Sequence, residues 1–142
     1  MNSQKFLVTG ALGCIGAWVT RHLVSEGTEI IATDVSDDFS RLRLLMTDAE
    51  LTGLDFRKVD VTDSEALQEL IESNSVSHVI HLAGLQVPFC KADPVLGSKV
   101  NVTGTISVFE AVRQSGAQIR GLAYALSLIH ISEPTRHRGP SR

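Results

Sequence analysis

Short apolar runs alternate with amphipathic stretches along most of this chain. Each run has the length and the residue types of a buried strand. The weakest run is at residues 54–60, where only Leu54, Phe56 and Val59 are candidates for the core. The runs predict five strands, at residues 5–10, 29–34, 54–60, 77–84 and 119–125.

The stretch after the first run has helical periodicity. Ile15, Val19 and Leu23 recur every four residues, so they share one face of a helix over residues 14–27. Gly27 is predicted to end that helix, because glycine readily adopts the left-handed conformation found after helix C-termini.

Further helices are predicted from their N-terminal signals. Thr62 and Glu65 have the spacing of a capping box at the start of a helix. Asp93 and Pro94 resemble an N-cap and a first turn, which predicts a helix running to Gly116. Segment 35–53 leaves open a helix, a loop or both. The apolar side of the helix that ends at Gly116 would consist of Val100, Val108, Phe109 and Val112.

Strands that alternate with helices indicate the fold class. Right-handed crossovers between them give an α/β fold, a doubly wound parallel sheet with helices on both faces. Residues 1–125 are predicted to form one domain of this kind, ending after the fifth strand. The chain has 142 residues, of which 43% are hydrophobic and 20% charged, as in globular proteins.

Charge and cysteine content narrow the possible functions. A net charge of −3 gives no indication of nucleic-acid binding, and no apolar run approaches membrane-spanning length. The chain enters its first strand directly after Lys5, so we expect no signal peptide. Cys14 and Cys90 suit a reduced cytoplasmic protein better than a disulfide scaffold. No metal site is predicted.

The turn after the first strand contains the pattern T-G-x-x-G-x-x-G. Gly10 would permit the tight turn, Gly13 would let the backbone approach a pyrophosphate, and Gly16 would let the helix pack closely on the sheet. The pyrophosphate would lie against the free N–H groups at the helix N-terminus, at Cys14 and Ile15. Because a strand precedes the pattern and a helix follows it, dinucleotide binding is favoured over a purely structural turn.

An acidic residue at the end of the second strand supports this interpretation. Asp34 follows the glycines by about 20 residues, where a carboxylate accepts hydrogen bonds from the adenosine ribose. It would repel a 2′-phosphate, so NAD is favoured over NADP. Arg41 and Arg43 lie near enough to reach a phosphate, although a solvated helix face is the preferred interpretation of both.

Together these motifs resemble the extended short-chain dehydrogenase/reductase superfamily, which includes the NAD-dependent epimerases and dehydratases. The similarity covers residues 5 to about 125, through "TGALGCIG", "KVDVTD", "HLAG" and "NVTGT". It implies a Rossmann-type domain that binds NAD. It further implies that Asp60 and Val61 flank the adenine ring. A stretch that lines the cofactor would consist of Leu82, Ala83 and Gly84, and Asn101 would face the site. His81 is interpreted as a strand-end residue, not a catalyst.

The family's catalytic residues have no counterpart in this chain. The resemblance implies a serine after strand five and a Tyr-x-x-x-Lys pair on the next helix. Tyr124 is the only tyrosine, and Leu128 stands where the lysine would be. Tyr124 is therefore interpreted as a strand residue, and no catalytic residue is assigned.

The last residues show a different resemblance. "LSLIHISEPTR" (126–136) is similar to the translation of a sequencing-library adapter, and "HRGPSR" would then be index-derived. Residues 126–142 are thus expected to be a non-native tail, with the substrate lobe of the family absent. A short strand followed by a disordered basic tail is the alternative.

These observations leave three functions open. The favoured one is the NAD-binding portion of an epimerase or dehydratase acting on a sugar nucleotide or a similar hydroxyl compound. The others are a non-catalytic dinucleotide-binding regulator and a dehydrogenase or reductase of non-sugar alcohols or ketones. The intact enzyme would bind a small-molecule substrate, and a homodimer is a possible assembly for it.

Overall fold

A computed structural model describes residues 4–125 and contains one five-stranded sheet. Every pairing between neighbouring strands is parallel, and the strand order is β3-β2-β1-β4-β5. This confirms the doubly wound α/β class. The strands are β1 (Lys5–Thr9), β2 (Glu29–Asp34), β3 (Asp55–Lys58), β4 (His78–His81) and β5 (Gly121–Tyr124).

The helices that connect the first strands lie on one face of the sheet. They are α1 (Cys14–Ser25), α2 (Ser40–Leu45) and α3 (Asp48–Thr52). Val8 and Ala32 of the central strands pack against side chains of α1, while Leu42 of α2 and Ala17 of α1 form an adjacent cluster. Segment 35–53, which the sequence leaves open, thus contains both helix and loop.

Helices α4 (Ser64–Ser73) and α7 (Thr105–Ser115) cover the other face. Leu7 and Ile31 point to this side, where they meet Leu67, Ile71 and Val108 in the largest core cluster. Because Leu7 and Val8 are neighbours on β1 and both are fully buried, the alternation of a strand supplies both faces of the core. No helix of residues 4–125 is long and apolar enough to cross a membrane.

From Val87 to Ser115 the chain forms four successive helical pieces. Helix α5 (Val87–Ala92) is followed by α6 (Pro94–Ser98), then by a π-helical segment, Lys99–Gly104, and then by α7. Asp93 caps α6 through a bond from the Leu96 N–H, as its position before Pro94 predicts. A π-helical segment widens the helix by one residue per turn and often marks a functional site.

Three sequence predictions are wrong in detail. The capping box at Thr62 and Glu65 does not form, because α4 is capped instead by Asp63, which accepts from the Ala66 N–H at 3.0 Å. Helix α5 falls in a stretch for which no helix is predicted. Ile15 is exposed and does not pack with Val19 and Leu23, which border the core.

Candidate functional site

The predicted site residues gather at the carboxyl edge of the sheet. The glycine turn follows β1, Asp34 ends β2, Asp60 follows β3, and residues 82–84 follow β4. In an open parallel sheet, ligands bind at this edge where the strand order reverses, here between β1 and β4. These residues come together because each of them lies at or just after the carboxyl end of a strand of one parallel sheet.

The glycine turn is held by backbone contacts that leave no room for side chains. Gly10 has φ +69°, and the Gly13 N–H donates to the Gly10 carbonyl at 3.1 Å. A Cβ on Gly10 would lie 2.6 Å from the Ala83 nitrogen, and a Cβ on Gly16 would overlap the Gly10 carbonyl oxygen. The turn therefore brings three backbone segments into contact.

The N-terminus of α1 is free of any side-chain cap. Its first backbone bond runs from the Ala17 N–H to the Gly13 carbonyl at 2.9 Å, so the N–H groups of Cys14, Ile15 and Gly16 precede the first N–H that donates within the helix. The side chains of Cys14 and Ile15 are exposed. The dipole of this helix favours an anion at that end.

The Asp34 carboxylate bonds the glycine turn through one oxygen and the loop after β2 through the other. Oδ2 accepts from the Leu12 N–H and Oδ1 from the Ser36 N–H, each at 3.0 Å. The Arg41 side chain is exposed, as a solvated helix face predicts, and its Nη1 donates to the Leu12 carbonyl at 3.3 Å. Each Asp34 oxygen retains a lone pair for a further donor.

Lys58, a basic side chain on the adjacent strand β3, is engaged elsewhere. The Lys58 Nζ lies 3.0 Å from Asp37 Oδ2. A hydrogen bond from that ammonium, and its charge, hold the pKa of Asp37 below its ordinary value. Arg41 is therefore the cation that the fold places beside Leu12 and, through it, beside Asp34.

Asp60 and Val61 differ in exposure. Asp60 is exposed, and its Oδ1 accepts from both the N–H and the hydroxyl of Thr62, at 2.9 and 2.8 Å. Val61 is 7% exposed and belongs to the main core cluster, where its side chain meets Gly104. A ligand at this edge would touch the backbone of Val61, not its side chain.

Asn101 holds the loop after β4. Its amide Nδ2 donates to the Leu85 carbonyl at 2.9 Å, and its Oδ1 accepts from the Leu85 N–H at 2.7 Å. Oδ1 would also lie 3.4 Å from a Cβ on Gly84. Asn101 lies in the π-helical segment, and both the oxygen and the nitrogen of its amide bond this loop. The side chain therefore points inward and not into solvent.

A buried polar group lies under this loop, at the strand end where the sequence predicts His81 but with contacts that the sequence does not predict. His81 is fully buried at the end of β4, and its ring bonds Thr9 on one side and Thr105 on the other. Burial lowers the pKa of His81. A polar pair at matched positions of two buried strands, Thr9 beside His81, is the signal that identifies it.

This histidine gives the first testable prediction, a dependence of stability on pH. The unfolded chain takes up a proton near the ordinary imidazole pKa of about 6.5, before the folded chain does. The free energy of unfolding should therefore be constant above that pH and fall below it, by up to about 1.4 kcal/mol per pH unit. Urea unfolding at several pH values measures this, and the slope should shrink in His81→Asn. An equal slope in both proteins would contradict it.

Two clefts lie at the opposite edge of the sheet, where the strands begin. One is lined by Lys5, Glu29 and Gly53, among others, and the second by Lys5, Ser77 and Gln118. Neither contains a residue of the glycine turn or of the loop after β4. No cluster of three metal-ligating side chains occurs in residues 4–125.

The strand order, the uncapped helix after a glycine turn and the acidic end of β2 define a Rossmann-type α/β protein. A family model described as GDP-mannose 4,6 dehydratase matches residues 7–132. The chain belongs to this family, within the epimerase and dehydratase branch of the extended short-chain dehydrogenase/reductase superfamily.

Individual relatives agree with this assignment. UDP-glucose 4-epimerase 1 of Oryza sativa subsp. japonica is 36% identical over 119 residues, covering 80% of this chain and 33% of the relative. UDP-glucose 4-epimerase of Mus musculus is 32% identical over 139 residues, covering 92% of this chain and 40% of the relative. The chain thus spans about a third to two fifths of the length of these curated relatives.

Solved structures share the fold. The UDP-glucose 4-epimerase of Thermus thermophilus in complex with NAD is 30% identical, with a TM-score of 0.66, covering 80% of this chain and 35% of that one. L-threonine dehydrogenase of Clostridium difficile is 26% identical, with a TM-score of 0.65 and coverages of 80% and 34%.

Proposed function

We propose that residues 1–125 bind NAD and form the cofactor-binding portion of an epimerase or dehydratase that acts on a sugar nucleotide. The observation that carries this proposal is the glycine turn, where an uncapped helix N-terminus and the Asp34 carboxylate lie on one sheet edge. The similarity to UDP-glucose 4-epimerases, one of them solved with NAD, supports the same cofactor.

The site fits a dinucleotide on two independent grounds. Gly10 and Gly16 pack against backbone and close the turn, whereas Gly13 would leave its backbone open to a pyrophosphate, since an added Cβ there would meet only the Gly10 carbonyl oxygen, at 3.2 Å. The lone pairs that remain on Asp34 suit the hydroxyls of a ribose. The exposed Asp60 and the loop at Leu82–Gly84 would complete the contacts to the adenine and nicotinamide halves.

When bound, NAD supplies a hydride acceptor. The described residues bind and orient it: the N–H groups of Cys14 and Ile15 meet the pyrophosphate, and Asp34 holds the ribose. Asn101 fixes the loop that borders the nicotinamide end. Proton transfer to a substrate hydroxyl needs a base that these residues do not supply, so the chain as given should bind NAD without turnover.

One observation favours a second candidate, a dehydrogenase of non-sugar alcohols. L-threonine dehydrogenase structures match this chain about as well as the epimerase does, at TM-scores of 0.65 and 0.66 respectively. Both candidates use the same cofactor site. An assay of the parent protein with NAD, supplied either with UDP-glucose or with L-threonine, would distinguish the two candidates. Epimerisation of UDP-glucose favours the first candidate, and reduction of NAD by L-threonine favours the second.

Residues 126–142 lie outside the described part of the chain, and we propose that they are adapter-derived. Their resemblance to a translated sequencing adapter supports this assignment. Long-read sequencing of the source DNA across the codons for residues 125–136 tests it. A serine followed by Tyr-x-x-x-Lys is the expected continuation, and a confirmed adapter-like sequence with a stop after Arg142 would contradict it.

Replacement of Asp34 tests the choice of cofactor. In Asp34→Asn we expect NAD to bind about tenfold more weakly, because an ionised acceptor of ribose hydrogen bonds is lost. NADP should bind more tightly than it does to the unaltered chain, since the repulsion is removed and Arg41 lies beside the turn. Calorimetric titration with both cofactors measures the two changes.

Asp38→Asn is the matched control, because it removes the same charge from the same loop. The Asp38 Oδ1 accepts from the Ser40 N–H and has no bond to the glycine turn. Its preference for NAD over NADP should equal that of the unaltered chain. An equal shift of preference in both variants would mean that net charge, and not Asp34, sets the selectivity.

A further inference from the structure

His81 forms a buried bridge between two parts of the candidate site. Its ring has 0% exposure at the end of β4. The Nδ1 lies 2.7 Å from the Thr9 hydroxyl oxygen, and the Nε2 lies 3.2 Å from that of Thr105. Thr9 immediately precedes the glycine turn, and Thr105 immediately follows the π-helical segment.

The contacts of Thr9 determine which ring nitrogen lacks a proton. Its hydroxyl oxygen accepts from the Ala83 N–H at 3.3 Å and, also at 3.3 Å, from the Leu82 N–H, which is shared with the Thr9 backbone carbonyl at 3.1 Å. A hydroxyl has two lone pairs and one hydrogen, so both lone pairs are occupied. The hydrogen must then point to His81, and Nδ1 is an unprotonated acceptor.

The contacts of Thr105 lead to the same tautomer from the other side. Its hydroxyl donates to the Asn101 carbonyl at 2.8 Å, which uses its only hydrogen. Toward His81 it can only accept, so Nε2 carries the proton. Both sets of contacts fit a neutral ring that is protonated at Nε2.

From this geometry we propose that His81 is a positioning residue for dinucleotide binding. The neutral ring links the N–H groups after β4 to the carbonyl of Asn101, and so fixes the loop at Leu82–Gly84 relative to the π-helical segment. This inference rests on the proposed function, since that loop would line the cofactor. His81 itself touches no ligand.

The surroundings of the ring make protonation unfavourable. Tyr124 stacks on it at 5.3 Å between ring centroids, and Phe109 meets Tyr124 edge-on. Thr9, Thr105 and Tyr124 are the polar groups that contact the ring in the described part of the chain, and none is a carboxylate. A proton on Nδ1 would turn the Thr9 hydroxyl hydrogen away from the ring and make the Thr9 oxygen the acceptor. That oxygen would then lose its hydrogen bond from the N–H of Leu82 or of Ala83.

Two variants test the bridge. His81→Leu removes both ring bonds, whereas His81→Asn places an amide oxygen close to the position of Nδ1 and keeps an acceptor for Thr9. We expect the Ala83 amide to exchange with solvent about tenfold faster in His81→Leu, and NAD to bind about tenfold more weakly. His81→Asn should restore the Ala83 protection and most of the affinity.

The unaltered chain provides two further readouts. Nitrogen-15 NMR of the imidazole should show the Nε2-protonated form at neutral pH, and NAD affinity should weaken only as the pH falls below the ordinary imidazole range, because burial lowers the pKa of His81. His81→Asn should lack that pH dependence. If His81→Leu fails to fold, these measurements still decide the inference, because an Nδ1-protonated ring or a pH-independent affinity would overturn it.

The outcomes separate this inference from the proposed function. Unchanged Ala83 exchange in His81→Leu, or no rescue by His81→Asn, would overturn the positioning role whatever the chain binds. Failure of the unaltered chain to bind NAD, with Ala83 exchange still sensitive to His81, would overturn the proposed function and reduce His81 to an anchor of the two segments.

Discussion

Alanine at position 16 is expected to prevent stable folding of this chain. Gly16 is buried in the first turn of α1, and a Cβ there would overlap the Gly10 carbonyl oxygen and lie 2.9 Å from the Ala11 Cα. These are backbone atoms, and the Ala11 N–H is bonded to the Thr33 carbonyl at 3.0 Å, so no flexible side chain can move aside. Overpacking of this kind costs about 3 kcal/mol or more, a large part of the stability of a small domain.

Gly53→Ala provides the matched control for this prediction. Gly53 follows α3 with φ −84°, and the nearest atom to its added Cβ would be the Ala49 carbonyl oxygen at an ordinary 3.6 Å. Its urea midpoint should equal or slightly exceed that of the unaltered chain, because alanine restricts the unfolded state. If Gly16→Ala unfolds at the same urea concentration as Gly53→Ala, the inference that α1 packs closely on the turn at Gly16 is wrong.

Alanine at position 10 should abolish NAD binding and strongly destabilise the chain. Two effects add there: a φ of +69°, which L-residues adopt at a cost of about 1 kcal/mol, and a Cβ placed 2.6 Å from the Ala83 nitrogen. To relieve the contact, the loop after β4 must move away from the turn. That movement separates the two segments that would hold the pyrophosphate and the nicotinamide.

Gly27→Ala isolates the conformational part of this effect. Gly27 has almost the same φ, +68°, but nothing lies within 4 Å of its added Cβ. Its loss of stability should be about 1 kcal/mol, with NAD affinity unchanged. Equal destabilisation in Gly10→Ala and Gly27→Ala, measured by urea unfolding, would show that contact with Ala83 contributes nothing.

The sequence predicts the sheet well because its central strands β1 and β2 are short apolar runs with consecutive buried residues on both faces. Such runs cannot remain in solvent, and the glycines and acidic residues at their ends have few alternative roles. The order of the strands comes from the structure, because right-handed crossovers reduce the number of topologies without selecting one. Gly10, Gly13, Gly16 and Asp34 therefore lie where the pattern places them.

Helix starts are predicted less well because neighbouring side chains compete for the same donors. The sequences at Thr47 and Thr62 both have a glutamate three residues on, yet the capping box forms only with Glu50. Beside Thr62, Asp60 accepts from both the Thr62 N–H and its hydroxyl. The helix then begins one residue later, at a cap provided by Asp63.

The bridge through His81 depends on contacts between distant segments. Thr9 and His81 are 72 positions apart and become neighbours only through the register of β1 with β4. Thr105 joins them because the π-helical segment sets the rotation of α7. Asn101 is recognisable by its motif, but its bonds to Leu85 follow from that same rotation.

The central claim is that NAD binds at the carboxyl edge of the sheet, and amide NMR of the chain titrated with NAD tests it most directly. We predict shifts at the glycine turn, at Ser36 and at Ala83–Leu85, with little change at the opposite edge near Glu29 and Gly53. Shifts confined to that opposite edge, or none at all in a chain with dispersed spectra, would contradict the account.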